Sequence, residues 1–233
     1  MEGHESMNKY ILNQGQKMNT PNQSPKENAL PWSRPEYTTD QDQYQDDLNI
    51  QKRSVFMTNL PAHCTYTVLF NGIRRVGNIA HARIHPSQDR KTTSSAEIEF
   101  FDSASVEKLF TQLRAGNLRI GFRTPFIHLN HTSIPPLPRS CGLSRVLQVA
   151  GPANIVSGAH FGALFTSVGL LFDIEGVRTL WEYPDVRCVE FRFSSYRTQA
   201  QHAVAILEEQ KRRMGGGGWE RVVVKFGPDP CSA

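Results

Sequence analysis

The chain has 233 residues, of which 39% are hydrophobic and 21% charged, and its formal net charge at pH 7 is +4. This length allows one large domain or two small ones with tails. No apolar run approaches the roughly 20 residues that span a bilayer, and no apolar segment follows the first Met, so we expect an intracellular protein, nuclear or cytoplasmic, without a membrane anchor. The Cys residues form no CxxC pair, which disfavours a disulfide framework and a compact zinc site.

The first 50 residues differ in composition from the rest of the chain. They are rich in Asn, Gln and Asp and hold four Lys or Arg against eight Asp or Glu, so they carry a charge of −4, whereas residues 51–233 carry +8. A segment with so few apolar residues cannot bury enough surface to offset the entropy of ordering, so we predict a disordered acidic tail over residues 1–50. The positive remainder suits a polyanionic partner.

Residues 52–132 alternate between the two-residue period of strands and the 3.6-residue period of helices. Val68, Ile73 and Val76 recur at helical spacing, and Asp102 or Ser103 can cap the start of a second helix. The predicted elements are a strand at 55–60, a helix at 65–76, strands at 79–85 and 96–100, a helix from 102 or 103 to 115, and a strand at 125–130. This β-α-β-β-α-β order predicts one α+β domain.

Residues 133–143 form a Pro-rich connector after this first domain. Pro135 to Arg139 match the PxxP pattern that some domains bind as a polyproline II helix. We favour a stiff spacer between domains, because such patterns are common and Pro-rich linkers are extended.

The same order of elements returns in residues 144–228. The predicted elements are a strand at 146–150, a helix at 157–168, strands at 172–182 and 186–193, a helix at 197–213 and a strand at 221–226. If Arg178 and Glu182 face water, strand alternation turns Trp181 toward the core.

This repeated order resembles the RNA recognition motif (RRM) family. The hexamer Val55-Phe56-Met57-Thr58-Asn59-Leu60 matches the family's strand-1 motif at every position. The resemblance covers residues 52–131 well and residues 144–228 more weakly. It implies two tandem ferredoxin-like α+β domains, each a four-stranded antiparallel sheet on two helices, whose open face binds single-stranded RNA by stacking bases on aromatic rings of strands 1 and 3.

The strand-3 octamer departs from the family's pattern in both copies. In the first copy it reads Thr93-Ser94-Ser95-Ala96-Glu97-Ile98-Glu99-Phe100, with Ser95 and Glu97 at the positions of the stacking rings. A carboxylate at such a position also repels phosphate. In the second copy Gln148 stands at the strand-1 ring position and Cys188 and Glu190 at those of strand 3. Of the expected rings, Phe56 alone is present.

Strand alternation supplies the other candidate contacts. If Ala82 and Ile84 face the helices, their neighbours on that strand face the open side, and the same logic applies to the last strand of the domain. Rings there would stack on bases, and Arg and His side chains would contact phosphates or bases. The predicted RNA-binding residues are Phe56, Thr58, Asn59, His81, Arg83, His85, Phe126 and His128 in the first domain and Arg192 and Lys225 in the second. The alternative for Phe56 is a ring partly covered by a linker or terminal segment.

No motif of the sequence indicates catalysis. The run Gly215–Gly218 lacks the Lys-Ser/Thr of a phosphate loop, and GxSxG and HExxH are absent. His81 and His85 would lie about 13 Å apart on a strand, too far for one metal ion. We therefore expect a non-catalytic RNA-binding protein without cofactor, metal, small-molecule substrate or membrane partner. The alternative is a protein-interaction module built on degenerate RRMs, with other proteins as partners and little or no RNA binding.

Overall fold

The structure of this protein is a computed structural model that describes residues 52–87, 93–130 and 142–232. In these residues eight strands form two four-stranded antiparallel sheets. The predicted tail over residues 1–50 and the PxxP pattern at 135–139 lie outside the described residues. None of the helices in the described ranges combines the length and the apolar character that crossing a membrane requires.

The first domain has the predicted β-α-β-β-α-β order. Its elements are β1 (Ser54–Leu60), α1 (Tyr66–Gly72), β2 (Ile79–His85), β3 (Ser94–Phe100), α2 (Ser103–Arg114) and β4 (Phe126–Leu129). The hydroxyl of Thr65 and the carboxylate of Asp102 accept hydrogen bonds from first-turn amides and so begin the two helices. The sheet order is β2-β3-β1-β4, which confirms the predicted ferredoxin-like topology.

Alternation along β1 separates the core of the first domain from the open face of its sheet. Val55 and Met57 are fully buried and belong to one cluster with Leu69 of α1 and Leu109 of α2. Phe56 lies between them in sequence and is only half-buried. Because successive side chains of a strand point to opposite faces, Phe56 lies on the face away from the helices.

Helix α1 is shorter than the sequence predicts. The apolar spacing indicated a helix to Val76 with Gly77 as its C-cap, but α1 ends at Gly72. Arg75 has a φ of 65°, which no residue inside a right-handed helix adopts. Gly77 has a different role, because a Cβ at this position would collide with Oγ of Ser105, so glycine lets the chain pass close to α2.

Replacing Arg75 by Gly is expected to raise the free energy of unfolding by about 0.5–1 kcal/mol. The left-handed conformation costs an L-residue roughly 1–2 kcal/mol, and the extra freedom of Gly in the unfolded chain offsets part of that gain. Arg74→Gly is the control at the neighbouring position, since Arg74 is also exposed but has no positive φ, and it should not be stabilised because it removes hydrogen bonds from Arg74 to Asn71. Urea unfolding of both variants measures the effect, and a destabilised Arg75→Gly protein would contradict it.

The second domain repeats the topology with longer strands. Its elements are β5 (Val146–Pro152), α3 (Gly158–Ser167), β6 (Ile174–Glu182), β7 (Val186–Phe193), a π-helical turn (Tyr196–Ala200) that leads into α4 (Gln201–Met214), a 3-10 turn (Trp219–Arg221) and β8 (Val223–Phe226). The sheet order is β6-β7-β5-β8. Phe161 and Phe165 of α3 pack with Phe191 and Phe193 of β7 in its core. The predicted order of elements is confirmed here as well.

The second domain docks on one edge of the first. The amide of Ala82, on the edge strand β2, donates a hydrogen bond of 2.9 Å to the carbonyl of Ser194. The hydroxyl of Thr67 on α1 donates a hydrogen bond of 2.9 Å to the carbonyl of Glu175. Beyond β8 the chain returns to the first domain, where Cys231 is fully buried in the first hydrophobic core. The predicted boundary at residue 228 therefore leaves out a segment that joins the two domains.

Arg145 lies at the centre of this contact and is fully buried. Its guanidinium donates two hydrogen bonds of 3.0 Å to the carboxylate of Asp229 and one of 3.0 Å to Glu175. The same group lies 3.9 Å from the ring centroid of Phe70, a residue of the first domain. Burial disfavours the charged form of Arg145, but its anionic neighbours outweigh that effect and raise its pKa.

Candidate nucleic-acid interface

Phe56 lies near the middle of the open face of the first sheet. On β1 it is paired with Glu97 of β3 on one side and with His128 of β4 on the other. Its ring centroid is 6.1 Å from that of His85 on β2, and the two ring planes are tilted by 51°. A half-buried ring supported by a second ring offers a fixed surface on which a nucleobase can stack.

The carboxylate of Glu97, which occupies a stacking position, has cationic neighbours. Arg83 is its pairing partner on β2 and is exposed. Nε2 of His85 lies 3.6 Å from Oε1 of Glu97. Arg83 compensates the negative charge at this point of the face, and His85 adds to that compensation when it is protonated. The repulsion of phosphate that the sequence predicts is therefore smaller than for an isolated carboxylate.

Strand β4 adds exposed polar and aromatic groups beside Phe56. The Phe126 side chain is 64% exposed and is paired with Thr58, and His128 is exposed beside Phe56 itself. The structure thus brings together six of the predicted residues on one face of the first sheet: Phe56, Thr58, Arg83, His85, Phe126 and His128. We call these residues the first-domain patch.

Asn59 has a structural role that the sequence did not reveal. Its φ is 62°, at an irregularity where the pairing of β1 with β3 shifts. Its side-chain amide donates a hydrogen bond of 2.9 Å to the carbonyl of Thr124 and accepts one of 2.9 Å from Arg123. These bonds hold the turn before β4 against the end of β1. That Asn59 contacts RNA stays a prediction, while both ends of its amide already have partners within the protein.

His81 lies at the border between the domains rather than in the first-domain patch. It forms an isolated β-bridge with Ser195 of the second domain and is half-buried. Burial lowers the pKa of His81, with the nearby Arg83 and Arg197 adding to this effect and Glu97 and Asp173 opposing it. His81 is therefore held in its neutral form, which reduces its value as a phosphate contact.

The pKa of His81 predicts a loss of stability at mildly acidic pH. The unfolded chain takes up a proton near the ordinary value of 6.5, whereas the folded protein does so only at a lower pH. The unfolded state therefore binds more protons in this window, so the contribution of His81 is complete above 6.5 and is lost as the pH falls through the folded-state pKa. Urea unfolding of the wild type and of His81→Gln across this range measures the effect. An identical pH slope in the two proteins would contradict it.

A cleft of about 370 Å³ opens where the first sheet meets the second domain. Glu99 lines it and is 4% exposed, with Arg197 of the second domain 3.4 Å and Arg53 3.7 Å from its carboxylate. Burial raises the pKa of Glu99, and the two arginines oppose this shift. The ion pair between Arg197 and Glu99 joins the second domain to the first beside its open face, whereas the pair between Arg53 and Glu99 lies within the first domain.

The second sheet carries a buried ionic group where the family's rings would stack. Glu190 is 2% exposed and accepts hydrogen bonds from Gln148, Arg178 and Arg192. Burial alone would raise the pKa of Glu190, but these bonds outweigh it and lower the pKa. Arg192 also pairs with Glu175, so it belongs to this network. Of the two residues predicted to bind RNA in this domain, Lys225 is the exposed one.

Trp181 lies on the open face of the second sheet, so the prediction that it faces the core was wrong. A bulge between Thr179 and Trp181 adds one residue to β6 and reverses the alternation beyond it. Trp181 is paired with Cys188, which stands at one of the open-face positions, and its side chain is 41% exposed. A bulge leaves no clear trace in a single sequence, so strand alternation alone missed this ring.

In the described residues no group of three or more His, Cys, Asp or Glu is arranged to hold a metal ion. Cys188 and Cys231 are buried and Cys64 is half-buried, all as free thiols. Burial raises the pKa of Cys64 to about 11. A thiol with so high a pKa is a poor nucleophile at neutral pH.

No protein-family model matches the sequence, and no curated protein matches it either. Solved structures of tandem RRM domains are similar to this chain. The first two RRM domains of yeast poly(U)-binding protein, Pub1, are 16% identical over 76% of this chain and 100% of that chain, with a TM-score of 0.31. RRM domains 1 and 2 of Prp24 from S. cerevisiae are 14% identical over 76% and 96%, with a TM-score of 0.32. RNA recognition domains 1 and 2 of Sex-lethal from Drosophila melanogaster are 15% identical over 75% and 99%, with a TM-score of 0.28.

Proposed function

We propose that this protein, whose two tandem domains have the RRM fold, binds single-stranded RNA and has no catalytic activity. The first-domain patch makes the principal contact. Phe56 and Phe126 stack on bases, Arg83 and His128 contact phosphates or base edges, and His85 supports the ring of Phe56. Lys225 of the second domain adds a phosphate contact.

The observation that carries this proposal is the position of Phe56. Its ring lies on the face of the sheet away from the helices, with His85 at 6.1 Å and the exposed His128 beside it on β4. Val55 and Met57, on the other face of β1, are fully buried in the core. A ring that served only stability would be expected on that buried face, so the position of Phe56 on the open face favours a role in binding. Stacking on aromatic rings is worth about 1–3 kcal/mol per base and tolerates any base sequence.

The charge distribution also supports a polyanionic ligand. Residues 51–233 carry +8, and Arg83 is exposed beside Phe56. Neutralisation of phosphates by such cations makes affinity fall as salt rises. With one ring retained at the family's stacking positions, we expect charge to contribute more than stacking, so the affinity should be modest and strongly dependent on salt.

Titration of the full chain with a random single-stranded RNA pool at low and at physiological salt tests the proposal. We expect binding at both concentrations, with a Kd that is several-fold weaker at the higher salt. A double-stranded RNA of the same length is the control and should bind more weakly, because its paired bases cannot reach Phe56. Failure of the protein to bind single-stranded RNA at low salt would contradict the proposal and favour the protein-interaction module.

A further inference from the structure

Two exposed aromatic rings lie together at the end of β6 in the second domain, away from the strand-1 and strand-3 positions where the family's rings stack. The rings of Trp181 and Tyr183 are 5.8 Å apart between centroids and tilted by 44°. Trp181 is 41% exposed and Tyr183 64% exposed. Trp181 follows the bulge in β6 and lies on the open face. Tyr183 follows the end of β6 at Glu182, in the turn to β7, and its ring lies beside that of Trp181.

Small residues lie beside this pair across the sheet. Register places Trp181 opposite Cys188, Cys188 opposite Ala150, and Ala150 opposite Val223. The row therefore begins with a large exposed ring and continues over two short side chains, Cys188, which is 3% exposed, and Ala150, which is half-buried. With strands about 4.8 Å apart, the row is about 14 Å long.

The neighbouring row of the same sheet supplies positive charge at its surface. It runs from Arg178 through Glu190 and Gln148 to Lys225. The side chain of Arg178 is 57% exposed, whereas that of Glu190 beneath it is 3% exposed. The carboxylate is thus covered by its hydrogen-bond donors, and the cations of Arg178 and Lys225 face the solvent. The sequence predicts that a carboxylate at the position of Glu190 repels phosphate. In the structure this row of side chains instead presents a surface that attracts phosphate.

From this arrangement we propose a second RNA-binding site, in which Trp181 and Tyr183 stack on a base and Arg178 and Lys225 contact the adjacent phosphates. The inference rests on the proposed RNA-binding function and extends it to the second domain. Single-stranded RNA is the ligand because the site combines exposed rings with a positive row, and both are needed for a stacked base joined to a phosphate. The tolerance of stacking for any base means that this site adds affinity rather than sequence preference.

Tryptophan fluorescence reports on this site directly. In a Trp32→Phe background, Trp181 and Trp219 remain, and Trp219 is 4% exposed. Addition of the random single-stranded RNA pool should quench the emission of Trp181, and the signal that remains in Trp181→Leu should not respond. Trp181→Leu should also weaken the Kd by about fivefold or more, as expected for one lost stack, while Trp181→Phe should retain most of the affinity.

The control is Phe122→Leu, which removes a ring that is 76% exposed on the turn before β4. It should bind RNA as the wild type does, and all variants should have the same far-ultraviolet circular dichroism spectrum, which reports the backbone fold. If RNA binds and depends on Phe56 but neither the quenching nor the effect of Trp181→Leu is observed, this inference is overturned and the proposed function stands. If the wild type binds no RNA, both fail.

Discussion

Replacing Arg145 by Ala is expected to lower the free energy of unfolding by about 3–5 kcal/mol, the range for a buried ion pair that loses one partner. Asp229 is fully buried and Glu175 has a side chain that is 5% exposed. Without the guanidinium, both carboxylates would stay in the interior with their principal cation removed. Urea unfolding followed by circular dichroism measures the effect.

In Arg145→Ala, the contact between the domains should lose more local stability than either sheet does. The amide of Ile79 in the first domain donates a hydrogen bond of 3.0 Å to Asp229, and Arg145 holds that same carboxylate and lies over the ring of Phe70. Hydrogen exchange at Ile79 should therefore accelerate in Arg145→Ala. In the same variant, the rate of hydrogen exchange at Ile98, in the central strand β3, should rise only by the amount that the loss of global stability accounts for.

Two controls test whether the loss of stability comes from breaking the buried ionic network or would follow from removing any arginine. Arg212→Ala removes an exposed Arg that pairs with Glu209 within α4, and it should change the free energy of unfolding by less than about 1 kcal/mol. Arg145→Ala should be less damaging in a Glu175→Gln background, because one of the two carboxylates that lose the Arg145 cation is then neutral. The network has no special role in stability if Arg145→Ala and Arg212→Ala lower the free energy of unfolding equally. The same conclusion follows if Arg145→Ala lowers it equally in the wild-type and Glu175→Gln backgrounds.

The repeated fold could be predicted because its signals are local. Strand β2 was predicted with its observed bounds, and α2 begins after Asp102 as the capping pattern indicated. Each of these depends on side chains within a few residues of one another, where period and capping chemistry determine the outcome. The end of α1 was predicted too late, since the apolar spacing through Val76 continues after the backbone has turned at Arg75.

The contact between the domains could not be predicted, because its partners are far apart in the sequence. Arg145 and Asp229 are 84 residues apart. Nothing in the local sequence distinguishes Arg145 from a solvated arginine before a strand. Its burial arises only when distant segments meet, namely α1 with Phe70, the start of β5, the start of β6 and the residues after β8.

The candidate site was partly predictable for a similar reason. Alternation along β1, β2 and β4 placed Phe56, Arg83 and His128 on one face because those stretches keep a regular period. It failed at Trp181, where a bulge intervenes, because strand period carries no information across a bulge. The hydrogen bonds of Asn59 to the turn before β4 were also not predictable, since a left-handed residue ends the regular pairing there.

Replacing Phe56 by Ala is expected to weaken binding of single-stranded RNA by about 1–3 kcal/mol, roughly 5- to 150-fold in Kd, as the loss of one base stack implies. The ring is half-buried and outside the hydrophobic core, so the fold should be retained. Phe56→Tyr keeps the stacking surface and should bind almost as the wild type does. Titration with the random RNA pool at low salt measures all three proteins.

The salt dependence of these variants distinguishes stacking from charge. Phe56→Ala removes no cation, so its Kd should change with salt as steeply as that of the wild type, although it is weaker at every concentration. Arg83→Ala removes an exposed cation beside Phe56 and should make the dependence on salt shallower. If Phe56→Ala binds as the wild type while Arg83→Ala does not, RNA is held by charge alone and the ring has no part in recognition. A deficit in Phe56→Ala that persists at every salt concentration instead requires a contact that ions do not screen, and the ring of Phe56 on the open face of the sheet provides it.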